Sequence, residues 1–351
     1  MPELPPHKRR PLSRQDSTWK PSCPQPVSLG YAELHCRTNY SFLEGASHPD
    51  ELVTRAAEIG LSALAITDRN SVAGVVRAHV AAKAAKLKLL IGAEITPADA
   101  PPVLLWSMNR AGYGRLCRLI SRGRQQAPKG DCRLTFADVA KHAEGLLARV
   151  VLNQIEQQLD ARPLARYRDL FGNRTYALAE LHRGPSDQQV LANWQHLARQ
   201  ASVPLIAAND VHCHFRERQQ LQDVLTAIRH GCTVAELGER RFPNAERHLK
   251  SAAEMAALFV ECPDAVARAI EVIGHCNFSL DELRYDYPEE LCPRGLTPIQ
   301  HLINLTWCGA KNRYPRGVPD KVRGLIEHEL KLIDELHCHS ALQNQPLDRQ
   351  I

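Results

Sequence analysis

From Tyr31 onward, seven short apolar runs alternate with stretches of helical spacing: YAELH (31–35), SALAITD (62–68), LKLLIGAE (87–94), VLLW (103–106), LLARVVL (146–152), TYALAELH (175–182) and PLIAANDVH (204–212). Strand-length apolar runs interleaved with amphipathic segments are the pattern of βα units. This alternation predicts an α/β fold, and seven such strands are enough to close a barrel of parallel strands.

The segments between the runs carry helix signals. Ser47 is placed to cap a helix with Pro49 in its first turn, Leu52, Val53, Ala56 and Ile59 on one face, and Gly60 as its stop. Ser71–Lys86 and Gly112–Arg122 read as further helices. Thr135 with Asp138 has capping-box spacing, with Gly145 as the stop, and Ser186–Gln200 carries Val190, Leu191, Trp194 and Leu197 at helical spacing. Beyond Arg216 the pattern is helical throughout: Leu221–His230 closing on Gly231, a capped helix at Ser251 with Glu254, another from Pro263, then Thr297–Arg313 and Asp320–Leu336. The loop DELRYDYPEELCPRG interrupts this series without periodicity.

Composition narrows the function classes. The chain has 351 residues, 44% hydrophobic and 24% charged, with a formal net charge of +5. Those values exclude a wholly disordered, collagenous or mucin-like chain. No apolar window approaches the roughly 18 residues of a membrane span, and the proline- and arginine-rich start has no secretory core, so a cytoplasmic protein without membrane contact is expected. Eleven cysteines with no CxxC pair read as reduced thiols. Three basic groups, Arg110–Lys129, Arg240–Lys250 and Lys311–Arg316, read as solvated faces.

Most of the runs end on or beside a residue able to bind metal: His35, Asp68, Glu94, His182, and Asp210 with His212. In a parallel barrel the strand C-termini converge on one face, so these residues form a candidate metal site. Mixed imidazole and carboxylate donors suit zinc, manganese or iron.

The stretches ELHCRTNYSFLEGASHPDEL from Glu33, ALAITDRNSVAGVVRAH from Ala63, IGAE at Ile91, AGYGRLCRLIS from Ala111, ELHRGPSD from Glu180, ANDVHCH from Ala208 and PNAERHL from Pro243 carry a family resemblance. So do FSLDELRYDYPEELCPRGLTP from Phe278 and RYPRGVPDKVRGLIEHELKLI from Arg313. Together they resemble the PHP (polymerase and histidinol phosphatase) domain and adjoining region of bacterial C-family DNA polymerases, the DNA polymerase III alpha type, in their error-prone branch. The resemblance implies a distorted seven-stranded β/α barrel followed by a helical segment. It also implies a metal site in which His35, Asp68, Glu94, Asp210 and His212 match family ligands and His182 matches less closely. The sequence departs from that pattern at Arg37 and Arg69, which stand where active members carry histidines. Pro101 and Pro102 replace a further histidine, and ARVVLNQ lacks the family cysteine. Arginine stays protonated and does not ligate metal. Arg37 and Arg69 are therefore expected to pair with Asp68, Glu94 and Asp210, leaving a degenerate pocket in which zinc or manganese is doubtful.

The resemblance divides the chain into a flexible arm (1–28), a PHP barrel with its helical C-terminal part (29–284), the beginning of a polymerase region (285–336) and a tail unlike the family (337–351). It implies an error-prone DNA-directed polymerase acting in damage-induced synthesis, repair and replication, using magnesium, with DNA, a sliding clamp and mutagenesis accessory proteins as partners. The family's palm carboxylates lie downstream of the matched region, so no catalytic residue is assigned here and a truncated or frameshifted product is expected. Two alternatives stand beside this reading: a stand-alone PHP metal-dependent phosphoesterase, and a non-catalytic PHP scaffold.

Overall fold

The computed structural model describes residues 30–152, 160–283, 292–293 and 295–335. The expected N-terminal arm and non-family tail lie outside these residues, as does most of the loop after Leu283. The chain divides into two compact units, Met1–Leu280 and Asp281–Ile351.

The first unit is a seven-stranded sheet in the order of the sequence. Its strands are β1 (Ala32–Glu33), β2 (Ala63–Ile66), β3 (Lys88–Ile95), β4 (Val103–Ser107), β5 (Leu146–Val151), β6 (Thr175–Glu180) and β7 (Leu205–Ala208). Around them run α1 (Pro49–Glu58), α2 (Val75–Ala85), α3 (Arg110–Gln125), α4 (Phe136–Lys141), α5 (Arg162–Phe171), α6 (Asp187–Ala201), α7 (Gln219–His230), α8 (Ala252–Leu258) and α9 (Pro263–His275). Most strand residues are buried, because helices cover one side and the barrel interior the other. The two sheet edges meet just beyond β1 and β7. The Val211 amide donates to the His35 carbonyl and the Arg37 amide to the Val211 carbonyl, both at 2.8 Å, so the barrel is nearly closed.

One strand departs from the parallel barrel expected. β4 runs antiparallel to both β3 and β5, while the other neighbouring pairs are parallel. Residues 96–102, which contain Pro97, Pro101 and Pro102, are too few for the crossover that parallel pairing needs, so the chain turns straight back. Six strands still point their C-terminal ends at one mouth.

Helix boundaries follow their caps. α1 begins one residue later than expected: His48 is the N-cap, with its backbone amide bonded to Glu51, and Ser47 is drawn away to His214. Thr135 with Asp138 and Ser251 with Glu254 form the expected capping boxes. α4 ends at Lys141, well before Gly145, whose φ of +70° serves the turn into β5. α7 closes on Gly231 in the left-handed conformation. Leu52, Val53 and Ala56 carry α1 onto the barrel, where each large aliphatic side chain contributes about 1.5–3 kcal/mol by leaving water.

The second unit contains α10 (Pro298–Arg313), opened by a Thr297–Gln300 capping box, and α11 (Asp320–Glu335). Arg323 lies over the Trp307 ring at 5.4 Å, joining the two helices.

Candidate functional site

At the barrel mouth, His35 stands two residues past β1 and is buried. Its Nδ1–H donates to Glu180 Oε1 at 2.5 Å, and its Nε2 lies 3.4 Å from Glu94 Oε2 and 3.6 Å from Asp210 Oδ1. Burial alone would lower the imidazole pKa, but the Glu180 and Glu94 carboxylates outweigh it and raise it. Among the described residues, His35, Glu180 and Asp210 offer donor atoms within 4.8 Å of one another, a grouping able to hold a metal ion.

Guanidinium groups fill the same space. Arg37 Nε donates to Glu94 Oε2 at 2.9 Å, and its Nη2 donates to the same oxygen. Arg37 Nη1 donates to His212 Nε2 at 3.0 Å and lies 3.5 Å from Asp210 Oδ1. Arg247 donates to Asp210 Oδ2. Arg69 Nη1 lies 2.5 Å from Glu44 Oε1, and its Nε 3.9 Å from Glu94 Oε1.

These contacts set the protonation pattern. Burial would raise the Glu94 pKa, but Arg37 and His35 hold it well below the usual carboxylate range. Burial and the adjacent Arg37 push His212 down to about 3. It is therefore neutral, with Nδ1–H donating to the Glu44 carbonyl at 2.9 Å and Nε2 accepting from Arg37. Burial brings Arg247 down to about 10, still protonated at neutral pH. The guanidinium groups of Arg37, Arg69, Arg229 and Arg247, with the imidazole of His35, thus face the carboxylates of Glu44, Glu94, Glu180 and Asp210.

The structure brings His35, Arg37, Glu94, Asp210 and His212 together. Asp210 and His212 meet although β7 ends at Ala208 and Asp210 turns at φ +43°; His212 Nε2 is 3.3 Å from Asp210 Oδ1. Four expectations need correction. Asp68 pairs with neither arginine: its carboxylate accepts from the Thr38 amide at 2.7 Å, Thr38 Oγ1 at 2.9 Å and Ser41 Oγ at 2.7 Å. Arg69 turns toward Glu44 because the short path from β2 leaves its half-exposed side chain at the rim. His182 donates from Nε2 to the Asn209 carbonyl at 2.9 Å, and burial, reinforced by Arg247, pushes it down to about 2. Arg247 and Lys250, read as a solvated face, point inward: Lys250 is 1% exposed and holds Asn209 Oδ1 at 3.1 Å.

Glu180, Glu44 and Arg247 belong to the site and were not anticipated. Glu180 carried a signal, since it is the last residue of β6 and stands two positions before His182 in the same apolar run. Arg247 carried none, because it lies in an irregular segment whose path only the folded chain reveals.

Residues 33–205 match the family model described as the PHP domain. The chain carries a PHP domain. It is 48% identical over 319 residues to the error-prone DNA polymerase of Rhodopirellula baltica, covering 88% of this chain and 28% of that protein. It is 43% identical over 310 residues to error-prone DNA polymerase 1 of Agrobacterium fabrum, again 88% of this chain and 28% of that one. The chain thus spans under a third of the length of these relatives. A solved structure described as a metal-dependent phosphoesterase of Bifidobacterium adolescentis aligns with 65% of this chain and 96% of its own at a TM-score of 0.42 and 15% identity.

The pocket does not suit a cluster of divalent ions. Each added ion would sit against guanidinium groups that already neutralise Glu94 and Asp210. Arg37 also occupies the Nε2 lone pair of His212 that a metal would need. What the residues do instead is exchange charge-assisted hydrogen bonds across the mouth, joining the ends of β1, β3, β6 and β7. No helix among the described residues is long and apolar enough to cross a membrane.

Proposed function

We propose that this chain is the PHP-bearing part of an error-prone DNA polymerase of the bacterial C family, serving damage-induced DNA synthesis and repair in the cytoplasm, and that its PHP pocket is a structural centre in which arginines take the place of metal ions. In this reading residues 29–284 form the PHP barrel with its helical extension, and the polymerase region begins at about residue 285. Polymerisation by the parent enzyme uses magnesium and engages DNA, a sliding clamp and mutagenesis accessory proteins. The relatedness to error-prone polymerases supports the assignment. The single observation that carries the structural reading of the pocket is Arg37, whose guanidinium touches Glu94, His212 and Asp210 at once.

Elemental analysis of the purified chain tests the pocket. Zinc, manganese and iron are expected far below stoichiometric amounts, with no hydrolysis of a chromogenic phosphate ester when manganese is added. Stoichiometric metal would overturn this reading in favour of a single-ion site on His35, Glu180 and Asp210. Asp210 Oδ1, buried and accepting no hydrogen bond, is the observation on that side.

A further inference from the structure

Residues 38–45 leave the barrel mouth as a tightly tied loop. Asp68 clamps it through Thr38 and Ser41, and Ser41 Oγ also accepts from the Arg69 amide at 3.0 Å. The Asn39 amide donates to the Ser47 carbonyl at 2.9 Å and the Ala46 amide to the His212 carbonyl at 2.8 Å. Gly45 packs so closely on the Thr38 carbonyl that no side chain fits there. Leu43 is held at φ +60°, a left-handed conformation that strains a leucine. All this order ends in two rings directed outward: Phe42 is 81% exposed and Tyr40 42% exposed. A loop held this firmly, with strain, to present an apolar ring to water is arranged for a ligand that covers the ring.

Both rings line a groove of about 810 Å³. It is also lined by Arg69, by Arg124 at the end of α3, and by Arg133 in the segment that follows; Lys129 is exposed in a turn between the lining residues Pro128 and Gly130. Arg124 is built into the wall, donating to the carbonyls of Gly130 and Asn70. Arg133 and Lys129 are exposed, and their side chains have no partner among the described residues. Among the acidic residues of the groove, Glu44 is already engaged by Arg69 and Arg229, which leaves Asp131 against the free cations.

We propose that this groove binds single-stranded nucleic acid, with bases stacking on Phe42 and Tyr40 and backbone phosphates meeting Arg133 and Lys129. Aromatic faces beside mobile cations are the general means of holding an unpaired strand. A duplex offers its phosphates but hides its base faces in its own stack, so the rings discriminate between the two. This binding is separate from the arginine-filled pocket and does not depend on the pocket's metal content.

Fluorescence anisotropy of the full chain in EDTA, with a short labelled oligothymidylate and a labelled blunt hairpin duplex as probes, tests it. The wild-type chain is expected to bind the oligothymidylate more tightly than the duplex. Phe42→Ala should weaken that binding about tenfold, in line with the loss of one stacked base, and Phe42→Trp should restore it. Arg133→Ala should weaken binding and flatten its salt dependence. Both side chains are exposed, so the urea midpoint of each variant should match the wild type. Absence of binding, equal affinity for the duplex, or Phe42→Ala binding like the wild type would each overturn the inference and leave the metal test of the pocket standing.

Discussion

The Arg37 guanidinium lies along one edge of Glu94, with Nε 2.9 Å from Oε2 and Nη2 on the same oxygen, and both side chains are almost fully buried. Such a pair gives little net stability against an apolar replacement, because desolvation offsets the attraction, but removing one partner strands the other charge. Arg37→Ala leaves Glu94 and Asp210 short of a cation at the barrel mouth. We expect it to lower unfolding free energy by about 3–5 kcal/mol, read as a fall in urea midpoint. A change under about 1 kcal/mol would mean the pocket is open to water.

Placing histidines at Arg37 and Arg69, the two arginines that depart from the resembled pattern, should open the pocket to metal. The double variant Arg37→His, Arg69→His removes two fixed cations and adds two donors beside Glu94 and Asp210. Zinc or manganese should then raise the thermal midpoint of the variant and not that of the wild type. A ligand at a hundredfold excess over its dissociation constant adds about 2.7 kcal/mol. Equal responses of the two proteins would show that the arginines do not control metal entry.

The neutral histidines predict an acid-sensitive fold. His212 is pushed to about 3 and His182 to about 2, from an ordinary value of 6.5. Unfolding frees both to take up protons, so their contribution is complete above pH 6.5 and is lost as pH falls from there. His35 acts oppositely: its raised value stabilises the fold below 6.5 and loses that effect as pH rises through it. Lowered histidines, His214 and His248 among them, outnumber the raised one, and the lowered Glu94 adds its own loss below 4.5. The urea midpoint should therefore fall steadily from about pH 7 to about pH 4. His212→Asn should flatten the profile, and an unchanged slope would remove His212 as a cause.

Much of the barrel could be read from the chain because each strand lies in a short, mostly apolar run and each cap is local. The reversal of β4 was within reach, since the prolines in residues 96–102 leave no length for a crossover. The site was legible only in part. His35, Glu94, Asp210 and His212 converge because strand ends converge, whatever their detailed geometry. Asp68 lies at the same kind of strand end, yet its carboxylate is taken by Thr38 and Ser41; such a local hydrogen-bond choice leaves no trace in spacing. Arg247 reaches Asp210 across a long irregular path, and a basic cluster on paper gave no sign of which member points inward.

Arg149 supplies a test of what the barrel interior tolerates. It is fully buried on β5, its Cζ 3.9 Å from the centre of the Trp106 ring, and none of its guanidinium nitrogens has a hydrogen-bond partner. Burial pushes its pKa down to about 9. The nearby Glu33 does not require it, because Glu33 already accepts from Tyr31 Oη at 3.0 Å, from the Leu34 and His35 amides at 2.9 Å, and from the Asn209 amide at 3.2 Å. The guanidinium thus forfeits hydration for ring contacts alone, with Trp106 and, at 5.5 Å, with Tyr176. Methionine keeps an unbranched stem and a favourable sulfur contact with the same indole. Arg149→Met should raise unfolding free energy by about 1–4 kcal/mol, as when other buried charges give way to apolar side chains. A loss of stability in urea denaturation would instead mean that the cation–π contact with Trp106 outweighs the desolvation of the charge.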